Sequence, residues 1–260
     1  MLPEGLSLAY QPIICAASGR LVAVEALLRT PGASAAPLKI LANAASSGCA
    51  EQLDRAVVES ACGQVRSWRE RGLLVPVHVN ISAATAHSGG GARFAAWLSQ
   101  LSVAEGAITI ELTETTKVRG LGPLVRFAEA CRTSGFEVAL DDFGCGYSTL
   151  ELLQRLRADI VKIDRRFVAV LAEDPWTRSI VQHMIALAQD LGMRVIGEGV
   201  ERNTEAAWLR RMGCDEFQGY AFARPMNGDA LANWVADRTA ALVSGTPAPR
   251  PQRSRMPAVQ

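Results

Sequence analysis

Apolar runs of strand length alternate with helical periodicity along most of this chain. Strand patterns fall at 7–14, 20–27, 74–80, 107–112, 136–141, 158–163, 193–197 and 214–218. Helical patterns fall at 38–47, 51–71, 92–101, 121–134, 148–156, 176–191, 202–211 and 228–243. Eight strands mostly separated by helices predict an α/β fold, a (β/α)8 TIM-like barrel. One link is irregular. Only the turn CAASGR separates the first two strands, too short for a parallel crossover, so a hairpin is expected with the first strand antiparallel to the rest. The barrel is expected over residues 1–243, and the Pro- and Arg-rich 244–260 as a disordered tail.

The polar exceptions in these apolar strands fall near their ends. Glu25 lies in AVEAL, Asn80 closes VPVHVN, Glu111 sits in AITIEL and Asp141-Asp142 close FEVALDD. Lys162 lies in DIVKID, Glu198 follows MRVIG, and Gln218 follows CDEF. A barrel of parallel strands collects such ends on one rim, so residues distant in sequence become one site. Oxygen ligands without His or Cys favour magnesium or manganese. Five carboxylates and one amide exceed what one ion needs. They suit two ions about 3.5–4 Å apart, an arrangement fitted to phosphodiester hydrolysis.

Each residue has a plainer explanation. A lone carboxylate at a strand end is commonly a helix cap or a solvated loop residue, and Gln218 alone could cap backbone. Adjacent acids such as Asp141 and Asp142 repel unless a cation or hydrogen bonds compensate. Lys162 could be a surface lysine or a Schiff-base former. Among carboxylates it is better placed to keep its charge and orient water or phosphate. In DDFGCGYSTLELL, Gly144 and Gly146 permit unusual backbone angles, and Ser148 with Glu151 forms a capping box for the next helix.

Composition narrows the function. The chain has 260 residues, 49% hydrophobic and 20% charged, enough for one large globular domain. A net charge of +1 argues against binding a DNA or RNA polymer, though not against a small phosphorylated ligand. No apolar run reaches about 18 residues and the N-terminus lacks signal-peptide features, so neither membrane insertion nor secretion is expected. Six scattered cysteines without a C-x-x-C pair, and three unclustered histidines, argue against zinc and for reduced thiols in the cytoplasm.

Eight short segments together resemble the EAL family of cyclic-di-GMP phosphodiesterases. They are YQPI (10–13), VEALLR (24–29), VNIS (79–82), ELTE (111–114), LDDFGCGYSTL (140–150), VKID (161–164), GEGVE (197–201) and FQGYAFARPM (217–226). The resemblance implies hydrolysis of cyclic-di-GMP to linear pGpG with two magnesium or manganese ions, calcium being inhibitory. It implies that Glu25, Asn80, Glu111 and Asp141 hold one ion and Asp141, Asp142 and Glu198 the other. It makes Glu198 the candidate general base, Lys162 the lysine beside the attacking water and Glu114 the residue steadying the DDFG loop. Leu27, Arg29, Glu201 and Gln218 fall at substrate contacts, Arg29 at a phosphate. A homodimer is expected, and any upstream regulatory protein is unidentified.

Three segments depart from the family pattern. Only MLPEGLSLA precedes YQPI, where a helix is usual. After VEALLR, TPGASAAPLKILANAASSG lacks the usual W-x-H-P, is about three residues short, and has Ala44-Ala45-Ser46 where A-E-E falls. AATAHSGGGARF follows VNIS. These changes are expected to affect substrate-side loops and the barrel rim more than the metal ligands. A sensor that binds the nucleotide without cleaving it can lose such ligands, and this sequence keeps them; an interaction barrel would have a broken VEALLR or DDFG segment, and both are intact. A lysine-dependent aldolase on the same barrel fits poorly with so many carboxylates.

Overall fold

The computed structural model describes residues 2–30, 36–87, 91–101, 103–113, 121–145 and 150–244. The eight strands are β1 (Ser7–Cys15), β2 (Leu21–Arg29), β3 (Val77–Ile81), β4 (Ile108–Thr113), β5 (Glu137–Phe143), β6 (Ile160–Ile163), β7 (Arg194–Gly197) and β8 (Glu216–Gln218). They close into a barrel in sequence order, and the closing contact is β1 against β8. β1 runs antiparallel to both neighbours and every other pairing is parallel, as the short first turn requires.

Around the strands lie α1 (Ala36–Ser46), α2 (Ala50–Glu70), α3 (Ala83–His87), α4 (Gly91–Leu98), α5 (Gly122–Thr133) and α6 (Leu150–Leu156). They are followed by α7 (Arg165–Val168), α8 (Pro175–Asp190), α9 (Asn203–Arg211) and α10 (Gly228–Ser244). The short helices α3 and α7 have no counterpart in the sequence pattern. At four or five residues they are too short to show a helical period. The expected capping residue Ser148, Gly146 and the tail 245–260 lie outside the described residues.

Strand side chains alternate between two faces, and here the faces are chemically distinct. Val77, Val79 and Ile81 of β3, Ile108, Ile110 and Leu112 of β4, and Val161 and Ile163 of β6 belong to the large core between barrel and helices. The other face fills the barrel interior. At its foot, Arg194 pairs with Glu137 at 2.6 Å and Glu216 at 2.9 Å. A small apolar cluster comes next, Ile13, Ala23, Ala139, Ile160 and Ile196, contributed by five strands. Above it, at the C-terminal ends of the parallel strands, the interior turns polar. The lumen is thus filled in layers, as barrels of this size are, and only the top layer is left for chemistry.

Candidate metal centre and substrate cleft

Lys162 organises the top layer. It stands one position beyond the apolar Val161 and one before Ile163, so strand alternation alone turns it inward. Its side chain is fully buried. Its Nζ lies 2.7 Å from Glu198 Oε1, 2.9 Å from Glu111 Oε2, 3.3 Å from Asp141 Oδ1 and 3.7 Å from Glu25 Oε2. Four carboxylates, in or just after four different strands, therefore converge on one ammonium.

The same alternation delivers the partners. Glu25 Oε1 accepts a hydrogen bond from Asn80 Nδ2 and Oε2 one from Gln218 Nε2, both at 2.7 Å. Glu111 Oε1 and His78 Nδ1 share a hydrogen bond at 2.9 Å. His78 sits two positions before Asn80 and on the same face. Burial, with Lys162 adding to it, lowers its pKa to about 4, so the ring is neutral beside Glu111.

Asp141 and Asp142 are consecutive, and regular pleating would turn them to opposite faces. The strand breaks its register here. Between Leu140 and Phe143, β5 spends one residue more than β6 does between Val161 and Ile163, which is a β-bulge. Asp142 takes the left-handed conformation, φ 55°, and its N–H donates to Asp141 Oδ1 at 3.0 Å. The bulge brings both carboxylates to the rim. Asp141, Asp142 and Glu198 each place one oxygen within 4.8 Å of the others.

Charge is unbalanced in this cluster. Burial opposes the charge on Lys162, but Asp141, Glu111, Glu198 and Glu25 outweigh it and hold the ammonium well above its usual pKa. Burial pushes the Glu198 and Glu111 carboxyls well above the usual carboxylate range, and Lys162 only partly opposes this. Asp142 rises to about 6, through burial first, then Asp141, then Asp164. Glu25 goes the other way: burial raises it, but Lys162, Gln218 and Asn80 together bring it below its ordinary value. One ammonium does not compensate this many acids. The all-oxygen donor set and the surplus negative charge fit hard divalent cations.

A cleft of about 190 Å³ opens beside the cluster and is bounded by Gln11, Glu25, Leu27, Arg165, Glu198, Glu201, Gln218 and Tyr220 among others. The loops carrying these residues are tied together. Val200 N donates to Gln218 O and Ala221 N to Val200 O, while Glu205 Oε2 accepts from the backbones of Glu201 and Arg202. Gly219 packs against the Val200 backbone so closely that a Cβ would overlap it. Gln218 Oε1 is buried without a hydrogen-bond partner.

Of the residues expected at substrate contacts, Leu27, Glu201 and Gln218 border this cleft. Arg29 is not among its lining residues, and its Nη1 donates to the Leu28 carbonyl at 2.9 Å. Glu114 lies outside the described residues. Gln11, His78, Asp164 and Arg165 were not singled out. For His78 and Gln11 the signal was present: each is a polar residue alternating with apolar ones inside a strand. Arg165 had none, because it opens a helix of only four residues.

Residues 3–225 match the family model described as EAL domain. MucR of Pseudomonas aeruginosa, described as a bifunctional diguanylate cyclase/cyclic di-GMP phosphodiesterase, is 35% identical over 89% of this chain and 34% of its own length. PdeR of Escherichia coli, described as a cyclic di-GMP phosphodiesterase, is 35% identical over 89% of this chain and 35% of its own. The chain thus spans about a third of the length of these curated relatives. Among solved structures, the P. aeruginosa MucR phosphodiesterase in complex with c-di-GMP superposes with a TM-score of 0.78 at 34% identity, covering 87% of this chain and 94% of that one. The manganese/c-di-GMP complex of Klebsiella pneumoniae BlrP1 gives 0.76 at 28% identity, covering 88% and 58%.

Proposed function

Because the chain belongs to the EAL domain family, we propose that it is a phosphodiesterase that hydrolyses cyclic-di-GMP to linear 5′-pGpG in the cytoplasm. The observation that carries this reading is the cluster in which Asp141, Asp142 and Glu198 bring oxygens within 4.8 Å of one another beside the buried Lys162. Asp141 is common to two donor groups, one with Asp142 and Glu198 and one with Glu25, Asn80 and Glu111. Those groups would hold two magnesium or manganese ions. Bound there, such ions lower the pKa of water and neutralise charge on phosphoryl oxygens.

The protein's own groups do the rest. Glu198, pushed up by burial and held by Lys162, stands at the edge of the cleft as the proton acceptor for the attacking water. Lys162 keeps the Glu198 and Asp141 carboxylates oriented and supplies fixed positive charge near the phosphate. Gln218 anchors Glu25 through its amide N–H and borders the substrate. Leu27 and Glu201 border the substrate, Arg29 contacts a phosphate once its side chain leaves the Leu28 carbonyl, and Glu114 steadies the loop that follows Asp142. We extend the proposal to a homodimer through the face of α6 and α8, where Leu150 and Leu191 are exposed.

Purified protein incubated with cyclic-di-GMP and magnesium or manganese, followed by chromatography of the products, tests the reading. Linear pGpG should appear, vanish on chelation and fail to form when calcium replaces the activating ion. Full turnover after dialysis into excess EDTA would overturn the two-ion site. Binding of cyclic-di-GMP with no product under any of these ions would make the domain a sensor.

A further inference from the structure

The foot of the barrel, the pole opposite the acidic rim, carries a larger cleft of about 490 Å³. It lies where β2 begins and where the chain enters β3, and α10 forms its outer wall. Arg20, Leu21, Leu73, Leu74, Trp234 and Arg238 are among its lining residues, and no carboxylate is.

The charge in this cleft is uncompensated. Arg238 is half-buried, its Nε donates to the Gly19 carbonyl at 2.9 Å, and its guanidinium stacks on Trp234 with 5.1 Å to the ring centroid. It forms no ion pair among the described residues, and burial lowers its pKa. Of the other partly covered arginines, Arg178 bonds to the Leu171 and Ala172 carbonyls, while Arg55 pairs with Glu51 and Arg194 with Glu137 and Glu216. A partly desolvated cation normally has such a counter-charge. Arg20 stands exposed at the same cleft, and its side chain too makes no ion pair among the described residues.

The remaining walls are apolar, and Leu74 is 75% exposed at the opening. The volume falls within the roughly 300–1,000 Å³ range of small-molecule sites. The segment following Ser244 carries Arg250, Arg253 and Arg255 and no Asp or Glu, the wrong charge to neutralise two guanidiniums. We propose that this cleft binds a small amphipathic carboxylate, with its acid group against Arg238 and Arg20 and its apolar body against Trp234, Leu21 and Leu73. A guanidinium presents paired N–H groups to a carboxylate, so the acid fits this site better than a neutral analogue does. The proposal does not depend on the hydrolase reading of the opposite rim.

The test compares 1-naphthylacetate with 1-naphthylacetamide, which share a ring and differ in charge, by calorimetry and saturation-transfer NMR on the full chain. The acid should bind at least tenfold tighter than the amide. Arg238→Gln and Arg20→Gln should each weaken the acid severalfold and leave the amide unchanged. Arg20→Gln removes an exposed group without a side-chain partner among the described residues, so it remains informative if Arg238→Gln fails to fold. Equal affinity for acid and amide, no binding of the acid, or undiminished binding by folded Arg20→Gln protein would overturn the site. Tighter binding of acetyl-Asp-Leu-Glu-Phe-amide than of naphthylacetate would overturn the small-ligand assignment in favour of a protein partner.

Discussion

Lys162 Nζ lies 2.7 Å from Glu198 Oε1, with the lysine wholly buried and three further carboxylates within 3.7 Å. The lysine is therefore a structural charge for the rim as well as a participant in its chemistry. Removing one partner of a buried charge cluster costs about 3–5 kcal/mol, because the others lose their compensation. Metal-free Lys162→Ala should melt well below the wild type, and manganese should restore more stability to it than to the wild type. Equal melting temperatures in EDTA would show that the acids are balanced without the lysine.

Glu198 and Asp141 separate binding from turnover. Glu198→Ala should retain cyclic-di-GMP binding while losing product formation, and Asp141→Ala should lose at least as much, since Asp141 adjoins both proposed ions. A fall of less than about tenfold in kcat, worth 1.4 kcal/mol, would remove either residue from its assigned role.

The neutral His78 makes a pH prediction whose sign follows from linkage. Its pKa is about 4 in the folded protein against about 6.5 in an unfolded chain. The unfolded chain takes up a proton first, so this histidine costs nothing above pH 6.5. Its effect destabilises the fold progressively as pH falls toward 4, by about 3 kcal/mol in all. Asp142, raised to about 6, acts oppositely over part of the same window. The comparison is therefore between wild type and His78→Gln in metal-free buffer. Stability of the variant should decline less between pH 6.5 and 4, and parallel denaturation curves would place His78 protonated in the fold.

Asp54 should support the rim from outside it. This buried carboxylate on α2 accepts hydrogen bonds from Ser82 N at 3.1 Å, Ser82 Oγ at 2.7 Å and Thr85 Oγ1 at 2.6 Å. These bonds anchor the turn that begins two residues after Asn80. Asp54→Ala should lower stability by about 1–3 kcal/mol, since it leaves buried donors unpaired. It should also raise the manganese concentration needed for half-maximal activity. An unchanged metal requirement in a folded variant would confine Asp54 to capping α3.

Much of this molecule was legible along the chain, for a physical reason. Strand periodicity is local, and the residues that break it, Glu25, Asn80, Glu111, Asp141, Lys162 and Gln218, are the ones a closed barrel turns inward. The hairpin of β1 and β2 followed from the length of one turn. Tertiary structure alone decided what depends on distance between strands. Lys162 reaches four carboxylates because four strands converge. Asp142 joins Asp141 at the rim because one residue of register is lost against β6, which no local pattern encodes. Gln11 meets Gln218 only where the antiparallel β1 closes the barrel, and the two arginines of the basal cleft lie more than 200 positions apart, at 20 and 238. Side-chain periodicity specifies which way a residue faces; closure of the sheet specifies what it faces.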